Sequence, residues 1–492
     1  MSEDTFWGVD LLIRNARIMR DDPFENSVRV DVGIVGDKIA FVDSLHDHET
    51  KPGRVLDARD RFLLPGLVNA HTHSYGNLFK GMTDRLPLEV WMLFALAARG
   101  MTPEEAHASA LLGCVDLIRS GVTTVLDQIT LPLEGLDRVG QAYLQAGLRA
   151  FLSPMVSDRP YQATLPISEG DLPGELLEDF NRGANTTEQA VGLCREVATL
   201  WKRGELRGFS GVHLGPSGPQ RCSDALLVCL HQMAVEMDLG VHTHLLETRI
   251  QRDTAHAFYG QNMLLHLEDL GILSDRWSFA HGVWLAEPEA LRLGGKRGVT
   301  VVHNPVSNLF LASGIAPVKR LIEAGINVAL GTDGANCAGN QSMFEAMKMA
   351  ACLGKVRERD PDMWLTGTEV FTMATRTGAG MLGVPAGDIE AGQKADLVLM
   401  EERPWCVPES HIVNQVVYSA GAGDVSAVVA GGRVLMEEGT LLTIDEKETY
   451  AMALEALRSV LSRNKEAFRQ AERYSGELMR VYRRLAHLGE RR

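Results

Sequence analysis

The chain has 492 residues, 45% hydrophobic and 23% charged, with a mean hydropathy of −0.05, a globular composition long enough for one large domain and a smaller one. A net charge of −15 without any basic stripe argues against nucleic acid or an anionic membrane as partner. No apolar run nears the roughly 18–20 residues of a membrane span; the acidic start "MSEDTFWGVD" lacks the form of a signal peptide, and seven scattered cysteines fit reduced thiols in a cytoplasm.

In chain order, residues 1–61 alternate apolar and polar positions around Gly-Asp and Asp-Asp turns, which predicts antiparallel strands and half of a β-sandwich. His46 and His48, in the polar stretch "DSLHDHETKPG", read as solvent-exposed. Between Phe62 and about residue 350, within a catalytic barrel domain expected over 62–387, short apolar runs alternate with helical-period segments. Strands are predicted at "FLLPGLVNAHTH", "GVTTVLDQ", "LRAFLSPMV", "FSGVHLGPS", "GVHTHLLE", "WSFAHGVWL", "VTVVHNPVSN" and "INVALGTDG". Eight such units over about 290 residues have the count and length of a (β/α)8 TIM barrel, an α/β fold. The connection 157–188 is long for a βα loop, which suggests a lid. Residues 388–443 return to the alternating pattern and complete the sandwich, and 444–492 read as a charged amphipathic helical tail packed on the outside.

A TIM barrel carries its site at the C-terminal ends of the strands. The first strand ends in His71 and His73, two apart and so on one face. The fifth ends in His244 and then Glu247, the sixth carries His281, and the eighth ends in Asp333. Three imidazoles and a carboxylate on one rim form a set suited to zinc or ferrous iron. His242 shares a face with His244 but lies farther from the strand end, so it reads as buried behind the ligands.

The pieces "PGLVNAHTH", "SGVTTVLD", "HTHLLET", "AHGVWL", "HNPVSNLFLASGIAPV", "GTDGAN" and "GDIEAGQKADLVLM", in this order, resemble the amidohydrolase superfamily. The similarity is to its branch of S-adenosylhomocysteine and methylthioadenosine deaminases and triazine hydrolases. The resemblance implies a barrel with a composite β-sandwich, in a homo-oligomer. It implies one divalent metal, zinc or iron, held by His71, His73, His244 and Asp333, since "FSGVHLGPSG" has no lysine to bridge a second. It makes Glu247 the proton shuttle and His281 the group that holds the attacking water or its oxyanion, with Asp333 able to accept that water's proton.

The implied reaction is loss of ammonia from a small aminated N-heterocycle (purine, pterin, pyrimidine or triazine) by attack of metal-generated hydroxide. The alternatives are a nucleoside deaminase of the S-adenosylhomocysteine or methylthioadenosine type, and a triazine dechlorinase or cyclic amidase. Trp91, Gln220, His303 and Asn304 are expected to touch substrate, and Arg221 could meet an anionic heterocycle. The acid with which nucleoside-deaminating relatives grip ribose reads as missing, with Gly100 near its place. Compact heterocycles are therefore expected to be preferred over nucleosides.

Overall fold

The structure, a computed structural model, describes residues 8–19, 27–43, 51–168, 170–181, 185–295, 298–408 and 411–488. His46 and His48 lie outside the described residues. Strands β1 (Gly8–Met19), β2 (Ser27–Val35), β3 (Lys38–Asp43), β4 (Lys51–Asp57) and β5 (Arg61–Pro65) form the N-terminal part of a mixed nine-stranded sheet. Eight parallel strands follow: β6 (Leu67–Thr72), β7 (Val122–Ile129), β8 (Arg149–Val156), β9 (Gly211–Pro216), β10 (Gly240–Leu245), β11 (Trp277–His281), β12 (Thr300–His303) and β13 (Asn327–Leu330). They pair in sequence order, as a (β/α)8 barrel requires. The amide of Asp333 donates to the carbonyl of His71 (3.0 Å), tying the last strand end to the first.

The barrel strands are buried along nearly their whole length, and so they read as continuous apolar runs without alternation. "FLLPGLVNAHTH", read as one strand, is two strands in two sheets. Pro65 ends β5, and at Gly66 the chain crosses so close to β7 that a Cβ would stand 2.3 Å from the Thr123 hydroxyl.

After the barrel, β14 (Leu397–Glu401), β15 (Val425–Ala430), β16 (Arg433–Glu437) and β17 (Thr440–Leu441) return to the first sheet. β14 runs antiparallel to β5, with Val398 opposite Leu64, so the two flanks share one hydrogen-bonded layer. β1 pairs with β4 through residues 8–14 and with β5 at Arg17 and Ile18, and its pairing with β2 is bulged between Ile13 and Ala16. Ile13, Val32, Ile34, Leu63, Leu397, Leu399 and Val429 fill one apolar cluster, drawn from both flanks.

Segment 157–188 is not a bare loop. It contains a single turn, Tyr161–Thr164, and the helix Gly174–Asn181. These pack against helix Leu88–Ala97, helix Arg249–Tyr259 and the tail helix Lys465–Leu488 through Val90, Leu93, Tyr161, Leu176, Ile250 and Leu478. Ion pairs from Arg473 to Glu175 (3.1 Å) and from Arg484 to Asp171 (2.6 Å) tie the tail to this segment. No described helix is long and apolar enough to cross a membrane.

Candidate active site

His71, His73, His244, His281, Glu247 and Asp333 converge at the C-terminal rim of the barrel. Two of the strand ends that bring them there use backbone that L-residues seldom adopt: His281 has φ of +77° and Asp333 +65°. Such geometry persists where packing over-determines it, commonly at functional sites.

The hydrogen bonds assign the imidazole tautomers. The Ser278 hydroxyl donates to the Val241 carbonyl (3.2 Å), so it accepts the Nδ1–H of His242 (2.8 Å). His242 Nε2 then accepts the Nδ1–H of His71 (2.8 Å), which leaves His71 Nε2 bare. That nitrogen is buried and without a partner. The Nδ1–H of His73 donates to the Gln128 carbonyl, and that of His244 to the Ser217 carbonyl (2.6 Å). Their Nε2 atoms are therefore bare as well, yet face one another at 3.2 Å. Asp333 Oδ1 lies 3.3 Å from His73 Nε2 and 3.7 Å from His71 Nε2.

Three lone pairs and a carboxylate converging this closely repel one another unless a cation lies among them. The residues thus fit a divalent metal, and the donor types fit zinc or ferrous iron. Burial first, and the neighbouring imidazoles next, push His71, His242 and His244 well below the usual histidine range, which keeps them neutral as ligands must be. For Asp333 burial acts upward, but His73, His281 and the Ser307 hydroxyl outweigh it and hold the carboxyl low.

Glu247 and His281 stand beside this cluster, with Glu247 Oε2 3.7 Å from His281 Nε2. Burial, reinforced by Asp333 and Glu89, raises the Glu247 carboxyl well above the ordinary range. The Nδ1–H of His281 donates to Asn308 Oδ1 (2.8 Å), and its Nε2 lies 3.7 Å from Asp333 Oδ2. The group is arranged to take a proton on one side and hand one over on the other.

A cavity of about 1090 Å³, including its open mouth, leads to these residues. Trp91 and Gln220 line it, and Tyr161 brings segment 157–188 into its wall. His303 and Asn304 do not line it, which corrects the expectation of substrate contact. After β12 the chain turns directly into helix Pro305–Phe310, leaving both side chains buried, with the Asn304 amide packed where a Gly331 Cβ would stand 2.4 Å away. The residues of "HNPVSN" that reach the site are the last two: Ser307 donates to Asp333 Oδ2 (2.6 Å) and Asn308 holds His281.

The sequence reading also missed Glu89. It lines the cavity from the same helix as Trp91, its Oε1 accepts from the Thr248 hydroxyl (2.6 Å), and its Oε2 is buried without a partner. A carboxylate with a free acceptor thus lines the cavity at a different place from Gly100, where the acid stays absent. Its signal was an acid inside the apolar run "LPLEVW".

Residues 62–435 match the model of the amidohydrolase family. The chain is 37% identical to a 5'-deoxyadenosine deaminase of Methanothermobacter thermautotrophicus, over 81% of this chain and 87% of that one. It is 35% identical to a 5-methylthioadenosine/S-adenosylhomocysteine deaminase of Thermococcus kodakarensis, over 87% and 94%. Among solved structures, a zinc-bound adenosine deaminase from Xanthomonas campestris superposes with a TM-score of 0.82 at 29% identity, covering 93% of this chain and all of that one.

Proposed function

Because the chain belongs to the amidohydrolase family, we propose that it is a metal-dependent aminohydrolase that releases ammonia from an adenine-type nucleoside. His71, His73, His244 and Asp333 would hold one divalent metal, with zinc the first candidate since it is the ion bound in the similar adenosine deaminase. Such an ion supplies, when bound, the Lewis acidity that makes water nucleophilic at neutral pH.

The chain's own residues account for the proton traffic. Glu247, whose surroundings favour its protonated form, donates to a ring nitrogen and so makes the amino-bearing carbon electrophilic; the carboxylate left behind takes the proton of the hydroxyl added to that carbon and passes it to the departing amine. His281, whose Nδ1–H is committed to Asn308, presents a bare Nε2. That nitrogen takes a proton from the attacking water and then donates to the developing oxyanion. Trp91 offers an apolar face to the base, and Glu89 Oε2 accepts from sugar hydroxyls. The cavity wall from segment 157–188 limits water around the reacting centre.

The observation that carries this reading is the convergence of three bare Nε2 atoms and the Asp333 carboxylate beside the buried carboxyl of Glu247. The names of the relatives at 35–37% identity support the nucleoside class. The reading includes a cytoplasmic homo-oligomer, which gel filtration of the purified protein tests. The decisive experiment is ammonia release by zinc-loaded protein from adenosine, 5'-deoxyadenosine, methylthioadenosine, free adenine, guanine, a pterin and an aminotriazine. The nucleosides are expected to exceed the free heterocycles in kcat/KM by about tenfold or more, roughly 1.4 kcal/mol in transition-state binding. Ammonia from the free heterocycles alone would refute the nucleoside assignment, and no ammonia from any compound would refute the reaction.

A further inference from the structure

Two cations of the substrate cavity have no counter-ion. Arg99 follows helix Leu88–Ala97 just before Gly100, and Arg221 ends the single turn Pro219–Arg221 after β9. Both line the cavity. Among the described residues neither guanidinium has a carboxylate within 4 Å or a hydrogen-bond acceptor, and Arg221 Nε is buried without a partner. The Arg221 guanidinium carbon stands 5.7 Å over the ring of Tyr161, whose hydroxyl donates to the Glu89 carbonyl (2.9 Å). An aromatic face fixed in this way orients the guanidinium without neutralising it.

Among the described residues, none of the carboxylates that line the same cavity pairs with either arginine. Glu89 accepts from Thr248, Asp333 from Ser307, and Glu247 faces His281. The two arginines instead feel each other. The surrounding protein first, and Arg221 second, lower the Arg99 pKa to about 10, with Tyr75 opposing. The side chain of Arg99 has exposed surface, so water reaches it through the cavity it lines. Both guanidinium groups nevertheless line the same cavity. Desolvated like charges carry a cost that an anion between them removes. The guanidinium is also the side chain whose paired N–H groups match a carboxylate or a phosphate.

We infer that Arg99 and Arg221 form an anion subsite, and that the preferred substrate carries a carboxylate or phosphate on the part of the molecule remote from its reacting amino group. Neither arginine forms an ion pair with Glu247 or Asp333 among the described residues, which puts the anion outside the reacting centre in this reading. The inference rests on the proposed deamination only for the identity of the reacting group.

The test compares adenosine with adenosine 5'-monophosphate and with adenosine-5'-carboxylate on the zinc-loaded full-length protein. Ammonia release and calorimetric binding are both measured, for wild type, R99Q, R221Q and R221K. At least one anionic compound should exceed adenosine about tenfold or more in kcat/KM and in affinity, as charge-assisted paired hydrogen bonds imply. That ratio should fall toward one in R99Q and R221Q and be partly kept in R221K, which retains the charge should R221Q fail to fold. The arm with the larger ratio identifies the anion as phosphate or carboxylate. Equal values for the neutral and both anionic compounds, or a preference that survives in both Gln variants, overturn the subsite. Tighter, arginine-dependent binding of an anionic compound without ammonia release would leave the subsite standing and remove the proposed reaction.

Discussion

Replacing Glu247 with Gln isolates the proton shuttle. The change keeps the volume of the side chain and one carbonyl oxygen. The buried carboxyl is already held toward its neutral form by burial, Asp333 and Glu89, so Gln imitates the resident species sterically and in charge. The Glu247 backbone amide keeps its own partner, Gln251 Oε1 at 2.9 Å, and the variant should fold and hold metal as the wild type does. What is lost is the transferable proton. Asp333 is bound by Ser307 and faces the histidines, and one oxygen of Glu89 is held by Thr248. The expected loss in kcat is therefore the full value of general acid–base catalysis, about 10²–10⁴-fold, equivalent to about 3–5 kcal/mol at roughly 1.4 kcal/mol per decade. The assay is steady-state ammonia release at matched metal content, with thermal unfolding as a control. A variant with full metal and a kcat within tenfold of wild type would show that the proton comes from another group.

Four further outcomes follow from the same geometry. Elemental analysis should find about one transition metal per chain, as a single four-ligand site implies, and a stoichiometry of two would contradict the ligand assignment. Ser307→Ala removes the hydroxyl that donates to Asp333 Oδ2 and should weaken metal affinity about 10–100-fold in a chelator competition, the usual effect of losing a group that orients a ligand. Glu89→Gln should raise KM for adenosine about tenfold while leaving free adenine within about threefold, since a hydrogen bond to a charged acceptor is worth about 1.5–3 kcal/mol; equal effects on both would remove Glu89 from sugar recognition. Leu478→Ala, at a side chain 1% exposed in the tail helix, should cost about 2–5 kcal/mol in denaturant unfolding.

The convergence of the proposed metal donors was legible because barrel strands end where an apolar run ends, and a His-x-His at that point has few other uses. The strands themselves were legible because burial on both faces makes them continuous apolar runs. The boundary inside "FLLPGLVNAHTH" was not, since one residue of close approach at Gly66 separates two sheets without interrupting the apolar pattern. Glu89 was missed because an acid in the first turn of a helix is adequately explained by the helix dipole; only the fold shows which way it faces. In "HNPVSN" the strand ended earlier than the motif, so the polar residues nearest the strand looked functional while those on the following helix did the holding. The tail read as amphipathic, but a hydrophobic face does not say which partner it covers.

That partner gives the molecule an unusual division of labour. The last helix, Lys465–Leu488, braces segment 157–188 and helix Leu88–Ala97, which together wall the cavity, while every metal donor comes from the barrel. The proposed metal donors and the tail-braced part of the cavity wall therefore come from different parts of the chain, and that wall is a matched set. A chimera that exchanged segment 157–188 alone would set foreign side chains against Tyr474 and Leu478, whereas exchanging it together with the terminal helix would carry its interface along. For anyone altering the substrate range of this enzyme, the unit of redesign is thus two distant stretches of sequence treated as one cassette, and a fusion partner attached to the C-terminus would press on the same wall.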